Sequence, residues 1–408
     1  MPTSAKLGLL GSLYFSQGLP FGFFTQALPV MLRKQGHSLE EIGLLSLLAA
    51  PWALKFVWAP AADRYWWPRI GRRRSWILPL QLLSVLTLGV LALGPAAASV
   101  PLLMAAVLLL NLLAATQDIS TDGLAVDILA PHERGLANGL QVAGYRVGMI
   151  VGGGVLLILF ERLGSVGVFS CMALLTAAAS VPVLLAHEPP QSATPEPKTS
   201  HSLHFLRRPG ALRLLILVAT YKAGDAFATG MLRPFLADSG FTLEDVGWLL
   251  GTVGFVCGLV GALWGGSLVN RIGRRTALLV FGLLQSLTVA GYSWIAFAKP
   301  GRHAIYALCG IEHLAGGMAT AALFTCMMDW CSKETSATDY TVQASAVVIA
   351  TGLASAVAGF SAGALGYPAH FALAAALALG SLVAVARCFP TKEQAAHLCA
   401  ARVEGSCA

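Results

Sequence analysis

Charge is scarce in this chain. Of its 408 residues only 12% are Asp, Glu, Lys or Arg, while 56% are hydrophobic, and the mean hydropathy is +0.70. Soluble domains carry about 25% charged residues, so an ordinary soluble fold is excluded. A nucleotide-binding loop of the form G-x-x-x-x-G-K-[ST] is also missing, which excludes an ATP-driven pump on this chain. The eight cysteines have no metal-ligand spacing. His397, Cys399 and Cys407 come nearest and match no standard site, so neither a metal nor a cofactor is expected. Cys171, Cys257, Cys309, Cys326 and Cys388 lie in or beside apolar runs, and Cys331, Cys399 and Cys407 fall in segments read as cytosolic and therefore reduced. No cleavable leader is evident: the first apolar run, about 7–31, is too long for one and lacks a small-residue cleavage site. The net charge of +7 does not point to nucleic acid, because the arginines cluster in short gaps such as "RIGRRR" and "NRIGRR", the positive-inside pattern.

What the chain does have is apolar runs of membrane length. Twelve can be marked, at about 7–31, 42–62, 76–94, 101–122, 135–160, 166–187, 211–237, 246–268, 277–297, 304–329, 341–365 and 369–389. About 20 apolar residues in a helix cross the hydrocarbon core, and a helix satisfies its own backbone there. The predicted fold is all-α and integral to the membrane. Residues 1–187 form a first six-helix bundle and 211–389 a second. A Pro/Ser/Thr-rich cytosolic linker (188–210) joins them, and a cytosolic tail (390–408) follows. Lys and Arg concentrate in the loops that put both termini in the cytosol.

The two halves echo each other. "HSLEEIG" (37–43) returns as "FTLEDVG" (241–247), and "ADRYWWPRIGRRR" (62–74) as "VNRIGRR" (269–275). Asp63 and Asn270 are separated by the same interval as Asp122 and Asp329. Half-chain repetition is the mark of a transporter built from two bundles. The Asp–Arg pair and arginine cluster of 62–74 resemble the second-to-third-helix signature of the major facilitator superfamily. Asp63 can accept charge-assisted hydrogen bonds and sit against a helix terminus. With Arg64, Arg72 and Arg73, and with Asn270, Arg271 and Arg274 in the repeat, it forms a candidate conformational latch.

The stretch "ATQDISTDGLAVDIL…ERGLANGLQVAGYRVGMIVGGG", with "YFSQGLPFG", "YKAGDAF" and "SATDYTVQAS", resembles the AmpG-type permease family of that superfamily. The resemblance covers about 10–385. It implies a bacterial cytoplasmic-membrane carrier, of which the best-known members import anhydromuropeptides with proton coupling. Those are longer than this chain, and the compact form with "GLPFG" and "PWALKFVWAP" looks more like the siderophore-uptake branch. The resemblance therefore implies a monomeric importer of a siderophore or its iron complex, with a muropeptide permease as the alternative and a small-molecule exporter as a weaker one.

An ionised group facing lipid is costly, so charges inside apolar runs face a cavity or a partner. Asp118 and Asp122 stand one turn apart. Asp118 is the deeper, with Arg146 in the next helix as its expected partner; Asp122 and Asp127 are expected at or beyond the cytosolic interface. Lys222 and Asp225 are spaced to meet, and Glu312 adjoins His313. Asp118, Asp225 and Glu312 are the candidate proton sites. Arg146, Lys222 and Arg233, with Tyr14, Gln17 and Tyr221, are the candidate substrate residues, and Lys55 is expected to snorkel. Glycines 144, 148 and 152, and the pairs 254/258 and 261/265, predict close helix contacts in helices that, by the superfamily resemblance, border the interface between the halves. A membrane-bound enzyme would cluster catalytic residues at one membrane face and need no repeat, and a non-transporting sensor would bind ligand without counterflow.

Overall fold

The computed structural model describes residues 1–29, 32, 48–94, 100–186, 188 and 205–390. The first "HSLEEIG" copy, most of the linker, and the tail with His397, Cys399 and Cys407 lie outside the described residues. In chain order the helices are α1 (Thr3–Gly22), α2 (Ala50–Leu54), α3 (Ala59–Arg64), α4 (Arg74–Ala92), α5 (Val100–Ile128), α6 (Arg134–Met149) and α7 (Leu156–Leu185). They continue as α8 (Ala211–Tyr221), α9 (Ala223–Thr229), α10 (Leu232–Asp238), α11 (Leu243–Val246), α12 (Gly254–Ile272), α13 (Arg274–Ala298), α14 (Arg302–Asp329) and α15 (Ser336–Cys388). Among the described residues, eight helical stretches are long and apolar enough to cross a membrane.

The expected gaps at 160–166 and 365–369 are not loops but single glycine bends. α7 turns at Gly164 (φ 62°) and the 53-residue α15 at Gly366 (φ 76°). Both are left-handed conformations that glycine reaches without a Cβ clash, and Pro368 follows the second bend. The second and seventh apolar runs are broken. Lys55 opens a 3-10 turn, Lys55–Val57, between α2 and α3. Lys222 is the hinge between α8 and α9. Unwound backbone is tolerated at membrane depth where it lines protein or a cavity.

The chain folds into two compact units. Unit 1 contains 1–129, 143–202 and 333–341; unit 2 contains 130–142, 203–332 and 342–408. The units follow the half-chain division except for an exchange: the start of α6 belongs to unit 2 and the start of α15 to unit 1.

Glycine stripes set the packing inside each unit. In unit 1, a Cβ on Gly148 would lie 2.3 Å from the Phe15 carbonyl oxygen, and one on Gly152 2.0 Å from that of Leu19. In unit 2, a Cβ on Gly261 would lie 2.0 Å from the Leu314 carbonyl oxygen, and one on Gly265 2.5 Å from Met318 Cα. The stripes therefore join α6 to α1 and α12 to α14, each within one unit. These are the close helix contacts expected from the glycine spacing. Small residues permit this backbone approach, and dispersion rewards it in the absence of a hydrophobic drive between helices.

Candidate functional site

Two buried charge clusters stand out, one in each unit. In unit 1, Lys55 of the broken second run is 3% exposed and forms a salt bridge with Asp118 of α5. Asp118 and Asp122 stand within hydrogen-bonding reach of each other. The Tyr14 hydroxyl of α1 donates to Asp122 Oδ1 at 2.7 Å, and Gln17 Nε2 donates to Thr121 Oγ1 at 3.2 Å. A lysine this deep does not snorkel; it is held by the carboxylate, which corrects that expectation. Lys55 also takes the place expected of Arg146, which lies half-buried on α6. α5 runs on to Ile128, so Asp122, buried at 1% exposure, lies inside the helix and not at a solvated end.

In unit 2, Lys222 Nζ meets Asp225 Oδ2 at 2.7 Å and donates to Gln285 Oε1 of α13 at 3.2 Å. Asp225 and Glu312 of α14 are within hydrogen-bonding reach. Glu312 Oε2 also faces His313 Nδ1 at 2.8 Å and accepts from the Tyr292 hydroxyl at 3.4 Å. Glu312 and His313, neighbours in sequence, thus do meet. The plan repeats that of unit 1: a lysine at a helix break, an aspartate bridging it, a second acid beside the aspartate, and a tyrosine hydroxyl on the second acid.

The remaining candidates are placed as follows. Tyr14 is occupied by Asp122, and Tyr221 donates to the Leu278 carbonyl at 2.8 Å. Tyr14, Gln17 and Tyr221 are all nearly fully buried, so their side chains lie in helix contacts rather than along an open cavity. The reason is packing: the polar face of each helix turns to its neighbours inside the unit. Arg233 is exposed on α10, past a second break at 230–231.

The residues expected to form a latch build a third charged feature. In unit 1, Asp63 Oδ1 takes Arg72 at 2.8 Å and Arg73 at 2.9 Å, while its Oδ2 accepts from the Thr338 N–H and hydroxyl at 2.8 and 2.6 Å. Thr338 is in the first turn of α15, where an anion is favoured by the helix dipole and unpaired N–H groups. Arg73 also meets Asp127 Oδ2 at 2.9 Å, and Ser336 donates to Asp127 Oδ1 at 2.6 Å. Burial presses on the Arg73 guanidinium, yet Asp127 and Asp63 hold its proton and keep it above the usual arginine range. Arg74 and Arg73 donate their backbone N–H groups to Glu188, capping the start of α4. Burial lifts the Glu188 carboxyl above its ordinary value against those lowering contacts. Arg64 stacks on Tyr65 instead of joining the latch, because it is exposed at the end of α3.

In unit 2 the acid that pairs with the arginine loop is Asp329, not a residue at the position of Asn270. Asp329 takes Arg134 at 2.8 Å and Arg274 at 2.7 Å. Asn270 accepts from Arg274 and donates to the His132 carbonyl, and Arg271 is exposed outside this cluster. The counterpart of Asp329 is therefore Asp127, which also grips the arginine cluster, and not Asp122. The sequence held a signal for this: Asp127 and Asp329 are separated by the same interval as Gly71 and Gly273, the glycines of the two arginine loops.

Broken helices, buried paired charges and duplicated arginine loops define a secondary membrane carrier. The chain belongs to the major facilitator superfamily: residues 10–328 match it, and the relatives place it with the AmpG-type permeases. It is 33% identical over 400 residues to the anhydromuropeptide permease of Escherichia coli K12, covering 96% of this chain and 81% of that one. It is 26% identical over 382 residues to the putative transporter AmpG 4 of Rickettsia felis, covering 90% and 92%. Among solved structures it resembles FucP in the outward conformation, with TM-score 0.71, 15% identity and coverage of 94% and 99%. It also resembles a bacterial homologue of ferroportin, with TM-score 0.70, 14% identity and coverage of 95% and 100%. At that identity these two show the fold alone. The expected siderophore-uptake branch finds no support in these relatives, which carry permease and transporter names of the AmpG type.

Proposed function

We propose that this protein imports anhydromuropeptides or closely related cell-wall fragments across a bacterial cytoplasmic membrane, driven by protons, through alternating access of its two halves. The observation that carries the reading is the 33% identity to an anhydromuropeptide permease over 96% of the chain. The side chains suit such a cargo. A sugar–peptide fragment offers hydroxyls and carboxylates, and Lys222, Arg146 and Arg233 offer cations for the latter. Lys222 sits at a helix break, where transporters place substrate and coupling sites. Asp118, Asp225 and Glu312 remain the proton candidates, and Asp63, Arg72, Arg73, Arg274 and Asp329 the latch. The latch bonds form in one conformation and break in the other. Lys and Arg placement supports cytosolic termini.

The test is accumulation of labelled anhydromuropeptide in proteoliposomes under an inward proton gradient, alongside a ferric siderophore panel. Muropeptide accumulation that collapses with a protonophore is the expected result. Accumulation of a siderophore without muropeptide would overturn the cargo assignment.

A further inference from the structure

The unit 2 cluster has one acid more than its lysine can balance. Asp225 Oδ2 is bound to Lys222, but Asp225 Oδ1 is buried and has no donor among the described residues. The Glu312 carboxyl, within hydrogen-bonding reach of Asp225, is itself 3% exposed. Two carboxylate oxygens in contact repel unless a proton lies between them, and burial makes the doubly ionised form costlier still. Lys222 neutralises one negative charge. Tyr292 and Gln285 are neutral, and the Cys309 thiol beside Tyr292 is neutral too.

The remaining titratable neighbour is His313. Its Nδ1 lies 2.8 Å from Glu312 Oε2 and 2.9 Å from the Cys309 carbonyl oxygen. The carbonyl can only accept, so Nδ1 carries a hydrogen, and the ring is fixed with that edge towards Glu312. The imidazole packs on Gly254 of α12, where a Cβ would lie 2.6 Å from Cδ2. Gly316 lets the cluster pack against α14: a Cβ there would lie 3.0 Å from Gln285 Nε2, 3.5 Å from Glu312 Oε1 and 3.9 Å from Lys222 Nζ.

We infer that Asp225 and Glu312 share a single exchangeable proton, that His313 is its exit and entry group, and that this pair rather than the Asp118–Asp122 pair is the coupling site. The distinction rests on access. The side chains of His313 and Lys222 are 20% and 14% exposed, whereas that of Lys55, the lysine of the other pair, is 3% exposed. Loading starts from the ring with its hydrogen on Nδ1: Nε2 takes a proton from solvent, the imidazolium and the Lys222 ammonium balance the two carboxylates, and the Nδ1 hydrogen then passes to Glu312. In release the Glu312 proton returns to Nδ1 and the Nε2 hydrogen goes to solvent, which leaves the cluster one charge negative and ready to be reloaded. The inference rests on the reading of this chain as a gradient-driven carrier but not on its cargo.

The test needs no substrate. Infrared difference spectra of the purified full chain in lipid nanodiscs, stepped upward in pH, report the carbonyl stretch of protonated carboxylic acids. The expected result is a band that disappears as pH rises, absent in both Asp225→Asn and Glu312→Gln and displaced in pH by His313→Gln. Isotope-labelled aspartate and glutamate in the wild-type chain give the same assignment if either amide variant fails to fold. A titrating band that persists in both amide variants overturns the inference, as does a labelled wild-type chain with no protonated acid at neutral pH. A cargo other than muropeptide would leave the spectra as expected, so failure of the cargo assignment and failure of the inference are distinguishable.

Discussion

The two charge clusters are alike in plan and differ in access. Each sets a lysine at a helix break, bridges it to an aspartate, and backs the aspartate with a second acid that receives a tyrosine hydroxyl. In the unit 1 copy Lys55, Asp122 and Tyr14 are at 3% exposure or less and the Asp118 side chain is at 11%. The unit 2 copy is reached by a partly exposed histidine. One arrangement of charges can therefore serve as a fixed brace in a closed environment and as a titrating site in an open one, because water access decides whether a buried proton can exchange.

The two clusters should differ most at their lysines. Lys55→Met leaves Asp118 buried without its cation and is expected to cost about 3–5 kcal/mol. Lys222→Met leaves a partly hydrated aspartate and should cost less, about 1–3 kcal/mol. Denaturant or thermal unfolding in detergent measures both, and equal losses would erase the distinction between closed and open clusters. The arginine loops come next. Asp63→Ala strips Arg72, Arg73 and Thr338 of a shared acceptor and should cost about 3 kcal/mol. Asn270→Ala should cost about 1 kcal/mol, because Asp329 remains to hold Arg274. The glycine stripes should show the smallest difference between units. Gly152→Ala and Gly261→Ala each drive a Cβ onto a carbonyl, for about 1–3 kcal/mol apiece. By contrast, Gly89→Ala on α4, where a Cβ meets nothing within 4 Å, should stabilise by roughly 0.5–1 kcal/mol. Thermal melts of the three glycine variants check this.

Much of the fold was legible because apolar runs and polar gaps are local signals. The twelve runs all coincide with helical segments among the described residues, and Gly164 and Gly366 fall in the expected gaps between runs. The site was legible only where partners are near in sequence. Lys222 and Asp225, three apart, were correctly paired. Lys55 and Asp118 were not, because two charges 63 residues apart meet only through packing. Asp122 was matched to Asp329 because Asp63 and Asn270 set the interval, yet Asn270 is exposed and Asp329 supplies the acid. The faces presented by Tyr14, Gln17 and Tyr221 could not be read either, since a polar residue among apolar ones marks a neighbour as readily as a cavity.

The claim that only the unit 2 pair couples protons to transport is tested most directly by comparing two kinds of movement in proteoliposomes. Labelled anhydromuropeptide is followed in gradient-driven accumulation and in counterflow at equal pH, for Asp225→Asn and for Asp122→Asn. The account predicts that Asp225→Asn retains counterflow and loses accumulation, while Asp122→Asn keeps the pH-gradient response. Loss of the gradient response in Asp122→Asn alone, with Asp225→Asn accumulating cargo normally, would contradict it.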